Sequence, residues 1–179
     1  MVDDLLRLLL ANLKKSQEVS VIVSGDVGAG KTTACQEIID DLRDNGFQSG
    51  GVLSPRVTDS ETTVGYDVVD LLTGERRSFL RNKPPGEGKL GRFYLQEEGL
   101  SFAVEAIRRG IEGADLVFLD EVGRMELNGQ GLADPLGELL EAEVQGVYLV
   151  RPAYLGRFRE EFRIEEYVEL RIRKDEGGS

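Results

Sequence analysis

The chain has 179 residues, 40% of them hydrophobic and 31% charged, a composition typical of one soluble globular domain with a proper core. Its 22 lysines and arginines against 33 aspartates and glutamates give a net charge of −11, which argues against a nucleic-acid partner because phosphate backbones require a basic surface. One cysteine and no histidine exclude internal disulfides and His/Cys metal clusters, and they fit a reducing, cytoplasmic compartment.

The first elements in the chain are a helix, a strand and a second helix. Residues 1–16 contain the run LLRLLLANL, which predicts an amphipathic or buried helix. The run is too short and too charged to cross a bilayer, so no membrane span is expected; a helix lying on a membrane surface is the alternative. The apolar run VSVIVSG (19–25) predicts a buried strand, and residues 31–45 predict a helix that Gly46 caps.

The middle of the chain is predicted to form a β insertion over residues 50–81. GGVLSPRVT (50–58) and TVGYDVVDLL (63–72) have the composition of two strands joined by a polar turn, and ERRSFL (75–80) adds a third. Together they predict an antiparallel hairpin or meander. Residues 82–91, NKPPGEGKLG, are rich in glycine and proline and predict a flexible loop.

The remainder of the chain alternates helices with apolar strands. Helices are expected over 97–113, 131–144 and 155–162, and strands over 114–121, 147–152 and 167–173. This order predicts an α/β fold with a mainly parallel central sheet, helices on both faces and the β insertion at one edge. We expect a single domain that spans residues 1–179.

A glycine-rich loop separates the first strand from the second helix. Residues 25–32, GDVGAGKT, match the pattern G-x-x-x-x-G-K-[ST] in the strand–loop–helix context that the pattern requires. Glycines let backbone N–H groups point inward at phosphates, and the following helix adds the positive end of its dipole. Lys31 is placed to reach the β- and γ-phosphates as a catalytic residue, and the Thr32 hydroxyl to ligate Mg²⁺. The predicted nucleotide-binding residues are Gly25, Asp26, Val27, Gly28, Ala29, Gly30, Lys31, Thr32 and Thr33.

An acidic pair ends the predicted strand 114–121. Asp120 stands at the carboxyl end of this strand, where ligands bind in open α/β sheets, and is predicted to hold Mg²⁺. Glu121 can orient and deprotonate the water that attacks the γ-phosphorus, since no histidine is available. Three arginines are candidates for stabilising the transition state, and we assign this role to Arg151, which ends a predicted parallel strand. The others are Arg124, and Arg56, which is expected on the surface.

Four segments together resemble the P-loop nucleoside-triphosphatase family first described from thermophiles, also called the cancer-related nucleoside-triphosphatase family. They are GDVGAGKTT, GVLSPRVTDSETTVGYDVVDLLTGER, LGRFYL and LDEVGRMEL, and the resemblance covers about residues 19–172. It implies a RecA-like fold and slow, Mg²⁺-dependent hydrolysis of ATP, GTP and other nucleoside triphosphates with little base selectivity. It also implies that residues 25–33 bind the nucleotide, that Asp120 is the Mg²⁺ partner and that Glu121 is the catalytic carboxylate.

The chain departs from the family pattern at both ends. Its leading helix is an addition, because family members usually begin almost directly at the first strand. Its last residues, RIRKDEGGS, lack the Asn-Arg pair that the family commonly carries near the base. The guanine-reading motif Asn-Lys-x-Asp of small G proteins is absent as well, since NKPP occupies residues 82–85.

Two other functions remain open at this point. A nucleotide or polynucleotide kinase needs an acceptor pocket and an arginine-bearing lid, for which residues 82–91 and the arginines at 76, 77 and 81 are candidates. A nucleotide-binding regulatory switch with timer-like hydrolysis is the third possibility, and the added N-terminal helix supports it. The sequence identifies no protein partner.

Overall fold

The computed structural model describes residues 2–15, 19–84 and 86–173 and, within them, every side chain except those of residues 87–89 and 121. The helices and strands follow in chain order: α1 (Val2–Lys15), β1 (Ser20–Ser24), α2 (Lys31–Asp44), β2 (Ser49–Leu53), β3 (Arg56–Asp59), β4 (Thr62–Asp70), β5 (Arg76–Arg81), β6 (Glu87–Leu90), β7 (Phe93–Leu95), α3 (Glu97–Gly113), β8 (Leu116–Val122), α4 (Arg124–Leu127), α5 (Ala133–Glu141), β9 (Gln145–Val150), α6 (Pro152–Glu161) and β10 (Tyr167–Arg171).

The described strands form one sheet in the order β10-β1-β9-β8-β2-β4-β5-β7-β6, with β3 paired to β4 off this path. Strands β10, β1, β9, β8 and β2 run parallel to one another. From β4 onward the pairing is antiparallel. The predicted mixed sheet, with a parallel core and an antiparallel insertion, is confirmed. Because β9 lies between β1 and β8, the carboxyl ends of these three strands meet at one edge of the sheet.

Helices cover both faces of the parallel strands, as predicted, and these strands are therefore apolar throughout. Alternate residues of β1 point to opposite faces: Val21 and Val23 to one core, Ile22 to the other. The first core contains buried side chains of α1 and α2: Leu5, Leu9, Cys35, Ile38, Ile39 and Leu42. The second contains those of α3, α5 and α6: Ala103, Ala106, Ile107, Leu136, Leu139 and Phe158.

The N-terminal helix is part of the folded core. Leu5 and Leu9 of α1 are buried in the same core as α2. Asn12 is also buried, and its Nδ2 donates to Gln145 Oε1 at 3.2 Å, while Gln145 Nε2 donates to Val19 O at 2.7 Å. This amide pair ties the end of α1 to the start of β9. In the part of the chain that the structure describes, every helix is too short or too polar to cross a bilayer.

The β insertion begins later than predicted. Strand β2 pairs in parallel with β8, so residues 49–53 belong to the central sheet and not to the insertion. Ser54 and Pro55 separate β2 from β3, because proline has no N–H to donate to a strand ladder. The predicted single strand over residues 50–58 is therefore two strands with different partners.

The prediction of a flexible loop over residues 82–91 is wrong for residues 87–90, which form strand β6. β6 and β7 make an antiparallel hairpin that extends the meander, with Leu90 paired to Phe93. The two residues between them are Gly91, at φ +61°, and Arg92. A two-residue turn that starts with glycine favours a hairpin. The high glycine and proline content of the segment led to the prediction of a loop instead. Pro85 lies outside the described residues.

Helix α3 approaches β2 closely at glycines. A Cβ atom on Gly110 would lie 2.6 Å from Gly51 N and 3.1 Å from the carbonyl carbon of Gly50. Gly110→Ala is therefore expected to lower the free energy of unfolding by about 1–3 kcal/mol, because the helix must move away from the strand. Gly113→Ala is the control, since nothing lies within 4 Å of its Cβ position in the same helix. Urea denaturation measures both variants, and equal effects would contradict the tight approach.

Candidate active site

The glycine-rich loop joins β1 to α2 and depends on glycine at two positions. Gly28 and Gly30 have φ angles of +75° and +88°, in the left-handed region that other residues rarely adopt. Helix α2 begins at Lys31, directly after Gly30. The N–H groups of its first turn, which have no partners within a helix, therefore adjoin the loop. The loop has the features that let a backbone bind phosphate.

The predicted lysine, threonine and aspartate come together at this loop. Lys31 Nζ donates to Gly25 O at 2.6 Å and to Asp26 O at 3.1 Å, so its ammonium group is held across the loop. Thr32 Oγ1 donates to Asp120 Oδ2 at 2.8 Å. This hydrogen bond joins the start of α2 to the end of β8, over 88 positions of sequence.

Asp120 is buried, with 1% of its surface exposed, and the chain's own donors hold its carboxylate. Besides Thr32 Oγ1, its Oδ2 accepts the backbone N–H of Ser54 at 3.0 Å. The Cys35 thiol lies nearby, and its pKa is raised well above the usual value, first by burial and second by the charge of Asp120. Cys35 therefore stays protonated at neutral pH and acts as a buried structural side chain.

The strand carrying the acidic pair is irregular at the pair itself. From Leu119 to Val122 strand β8 advances by three residues, while its partner β9 advances by two, from 148 to 150. The extra residue is a bulge at positions 120–121, and bulges change the direction of side chains, often beside active sites. The backbone thus places Glu121 next to Asp120 at the carboxyl edge of the sheet. The Glu121 side chain lies outside the part of the chain that the structure describes.

The three candidate arginines lie in different places. Arg151 precedes the first turn of α6 and lines the cleft above the glycine loop. Arg56 is exposed, as expected, but its Nη2 lies 3.3 Å from the position that a Cβ on Gly28 would take. It therefore adjoins the loop, and we count it among the candidate functional residues that sequence reasoning undervalued. Arg124 lines a neighbouring cleft instead.

A cleft of about 610 Å³, which we call the phosphate cleft, connects the glycine loop to the β insertion and has a size suited to a small-molecule ligand. Its lining includes Lys31 and Thr32 from the loop side and Ser54 from the break after β2. Ser54 Oγ is buried and has no hydrogen-bond partner among the described residues. Buried hydroxyls are nearly always bonded, so this oxygen is available to a ligand, an ion or water. Tyr66 and Arg76 line the cleft from the insertion.

Known proteins with similar sequences identify the family of this chain, and solved structures match its fold. The sequence profile of the NTPase family matches residues 20–175. The nucleoside-triphosphatase THEP1 of Methanopyrus kandleri is 30% identical over 131 residues, which are 73% of this chain and 72% of that protein. The crystal structure of THEP1 from the hyperthermophile Aquifex aeolicus has a TM-score of 0.71 and 19% identity, covering 89% of this chain and 92% of that one. The solution structure of a human cancer-related nucleoside triphosphatase has a TM-score of 0.66 and 23% identity, covering 88% of this chain and 90% of that one. These matches confirm the resemblance seen in the motifs, and the chain therefore belongs to the NTPase family of enzymes.

Proposed function

We propose that the protein hydrolyses nucleoside 5′-triphosphates, ATP and GTP among them, to the diphosphate and phosphate, with Mg²⁺ and with low base selectivity. The hydrogen bond from Thr32 Oγ1 to Asp120 Oδ2 carries this proposal. It brings the two oxygens that a P-loop site uses for its metal together, beside the N–H groups of the glycine loop. Membership of the NTPase family supports the reaction class.

The residues at this point fit Mg²⁺. The ion prefers oxygen ligands and usually takes one or two from the protein, the rest coming from phosphates and water. Thr32 Oγ1 and Asp120 Oδ2 are such oxygens, and the unpartnered Ser54 Oγ lines the same cleft. Thr32 and Asp120 would hold the ion, directly or through water. Bound Mg²⁺ would neutralise negative charge on the β- and γ-phosphates.

The chain's own groups bind and orient the triphosphate in this proposal. The N–H groups of residues 25–33 surround the phosphates, and the Lys31 ammonium contacts the β- and γ-phosphates. Glu121 accepts a proton from the attacking water, which is the role open to a carboxylate where histidine is absent. Arg151 and Arg56 line the cleft and stabilise the charge that develops on the transferred group.

Low base selectivity is the first expected result. Phosphate release from ATP, GTP, CTP and UTP should occur with Mg²⁺ and stop in EDTA. The rates should differ by about tenfold or less, about 1.4 kcal/mol, because the chain contains no Asn-Lys-x-Asp motif to read a base. A preference of about a thousandfold would reveal a base-reading element. Release from none of the four by the folded protein would overturn the proposed function.

Ser54→Ala is expected to lower turnover at limiting Mg²⁺ without lowering the stability of the fold. The substitution removes an unpartnered buried hydroxyl and keeps the N–H that Asp120 accepts. The free energy of unfolding should therefore stay the same or rise by about 1 kcal/mol. Turnover at limiting Mg²⁺ should fall about tenfold and recover as Mg²⁺ is raised, because the hydroxyl lines the metal side of the cleft.

Ser49→Ala is the matched control for this measurement. Ser49 Oγ is likewise buried without a partner among the described residues, but Ser49 lies at the opposite end of β2, outside the phosphate cleft. Urea denaturation should show similar stability changes for the two variants. Turnover across a Mg²⁺ series should change for Ser54→Ala alone, and identical Mg²⁺ curves would contradict the role given to Ser54.

A further inference from the structure

A second cleft, of about 440 Å³, lies between the meander and the segment that follows β8. We call it the arginine cleft, because Arg92, Arg124 and Arg151 line it. Tyr66 and Arg151 line both this cleft and the phosphate cleft, so the two adjoin each other. Arg151 is the one residue of the described lining that the proposed hydrolysis already uses, so the rest of the arginine cleft has no role in that reaction.

The arginine cleft carries positive charge in a protein whose net charge is −11. Among the described side chains of its lining, Glu126 is the carboxylate that opposes the three arginines. Both oxygens of Glu126 accept backbone N–H groups, at 3.0 and 3.1 Å. Arg124 is exposed and forms no hydrogen bond or ion pair with the described residues, and Arg92 forms no ion pair with them. An anionic ligand would therefore find two guanidinium groups, those of Arg92 and Arg124, that form no ion pair with the described residues.

The rest of the lining is aromatic and apolar. The rings of Tyr66 and Phe93 meet edge to face, with centroids 5.6 Å apart and planes at 82°. The Arg92 guanidinium lies 4.9 Å from the centroid of the Phe93 ring. Tyr154, from the first turn of α6, is half-buried at the same cleft. Aromatic rings and a stacked guanidinium bind planar rings, and arginines bind phosphate in two-pronged geometry. The chemistry of the lining fits a flat ring that carries a phosphate.

We propose that the arginine cleft binds a nucleoside 5′-monophosphate and that the protein transfers the γ-phosphoryl group of the triphosphate to it. This inference rests on the proposed function, because the donor occupies the adjoining phosphate cleft. Arg151 lines both clefts, and in this proposal its guanidinium contacts the phosphates of both ligands. An acceptor bound there takes the place that water takes in hydrolysis.

The transfer balances without a catalytic base. A non-bridging oxygen of the acceptor phosphate forms a bond to the γ-phosphorus, and the bond from that phosphorus to the oxygen bridging the β-phosphate breaks. The products are two nucleoside diphosphates, and the total charge is unchanged. A phosphate monoester has a second pKa of about 6, so the attacking oxygen is already ionised at neutral pH. No proton has to be removed, which suits a chain without histidine.

The test incubates the full chain with Mg²⁺ and ATP, and with isotopically labelled AMP, CMP, GMP or UMP in turn. Chromatography measures the labelled diphosphate and free phosphate in the same samples. We expect at least one labelled diphosphate to form. Arg124→Gln should lower the ratio of diphosphate to phosphate about tenfold or more, because it removes one guanidinium from the acceptor site. Arg7→Gln is the control: Arg7 is an exposed arginine of α1, on the opposite face of the sheet, and its removal should leave the ratio unchanged.

The outcomes separate this inference from the proposed function. Phosphate release without any labelled diphosphate would overturn the acceptor site and leave hydrolysis standing. A ratio that Arg124→Gln does not change would overturn the assignment of the cleft. A variant that binds ATP more weakly at an unchanged ratio would show instead that the cleft holds the base of the triphosphate. Neither product from the folded protein would overturn the proposed function and this inference together.

Discussion

Lys31→Ala is expected to lower turnover of every nucleoside triphosphate by about 10³-fold and to leave the fold intact. Removing one donor that stabilises a transition state typically lowers turnover by about 10²–10³-fold, and cationic groups in phosphoryl transfer contribute up to about 10⁵. The structure strengthens this expectation. Lys31 Nζ is held by the carbonyl groups of Gly25 and Asp26, so the ammonium group is positioned across the loop before any nucleotide arrives.

Single-turnover phosphate release and equilibrium nucleotide binding measure this effect. Lys14→Ala is the control, because Lys14 is an exposed lysine near the end of α1, remote from the loop in sequence and outside both clefts. Both variants should unfold at the parent's urea midpoint. A folded Lys31→Ala protein that releases phosphate at the parent rate would remove the glycine loop from the proposed mechanism.

The grouping of Lys31, Thr32 and Asp120 was predictable from the sequence, because local motifs mark these residues and a rule of topology brings the motifs together. The glycine loop is a continuous motif, and Asp120 directly follows an apolar strand. The hydrogen bond between Thr32 and Asp120 spans 88 positions, yet the closeness of the two residues was predictable because the carboxyl ends of parallel strands meet at one edge of a sheet. The roles of Lys31, Glu121 and Arg151 stay predictions.

The arginine cleft and the position of Arg56 could not be predicted in the same way. Arg56 adjoins Gly28 because β3 leaves the central sheet at Pro55 and pairs with β4 instead. No local sequence pattern predicts that orientation. The β6–β7 hairpin has the glycine and proline content of a loop, and its order depends on the pairing of β7 with Leu80 and Arg81 of β5. Tertiary pairing thus overrides the local composition in this segment.

Glu121→Gln is expected to lower hydrolysis by about 10²–10⁴-fold while nucleotide affinity changes little. Glutamine keeps the shape of the side chain but cannot accept the proton of the attacking water. The position of the residue supports this role, because Glu121 lies beside Asp120 at the bulge where β8 departs from its ladder with β9.

Asp120→Asn is the matched comparison, since it removes one negative charge at the adjacent position. Asp120 accepts hydrogen bonds from Thr32 Oγ1 and Ser54 N. This change should therefore weaken the dependence of turnover on Mg²⁺, weaken nucleotide binding and lower the rate of hydrolysis. Single-turnover hydrolysis over a Mg²⁺ series, together with equilibrium binding, distinguishes the two variants. Hydrolysis at the parent rate by Glu121→Gln would contradict its role as the base and favour a nucleotide-binding regulatory switch.

The same variant also distinguishes water from a phosphate acceptor. Water must lose a proton when it attacks the γ-phosphorus, whereas an ionised monophosphate in the arginine cleft has none to lose. Glu121→Gln should therefore lower hydrolysis about 10²-fold or more and lower transfer to the labelled monophosphate far less, so the ratio of diphosphate to phosphate should rise. Arg124→Gln should shift that ratio in the opposite direction. Equal losses of hydrolysis and transfer in Glu121→Gln would mean that Glu121 contributes to binding the triphosphate rather than to removing the proton of water.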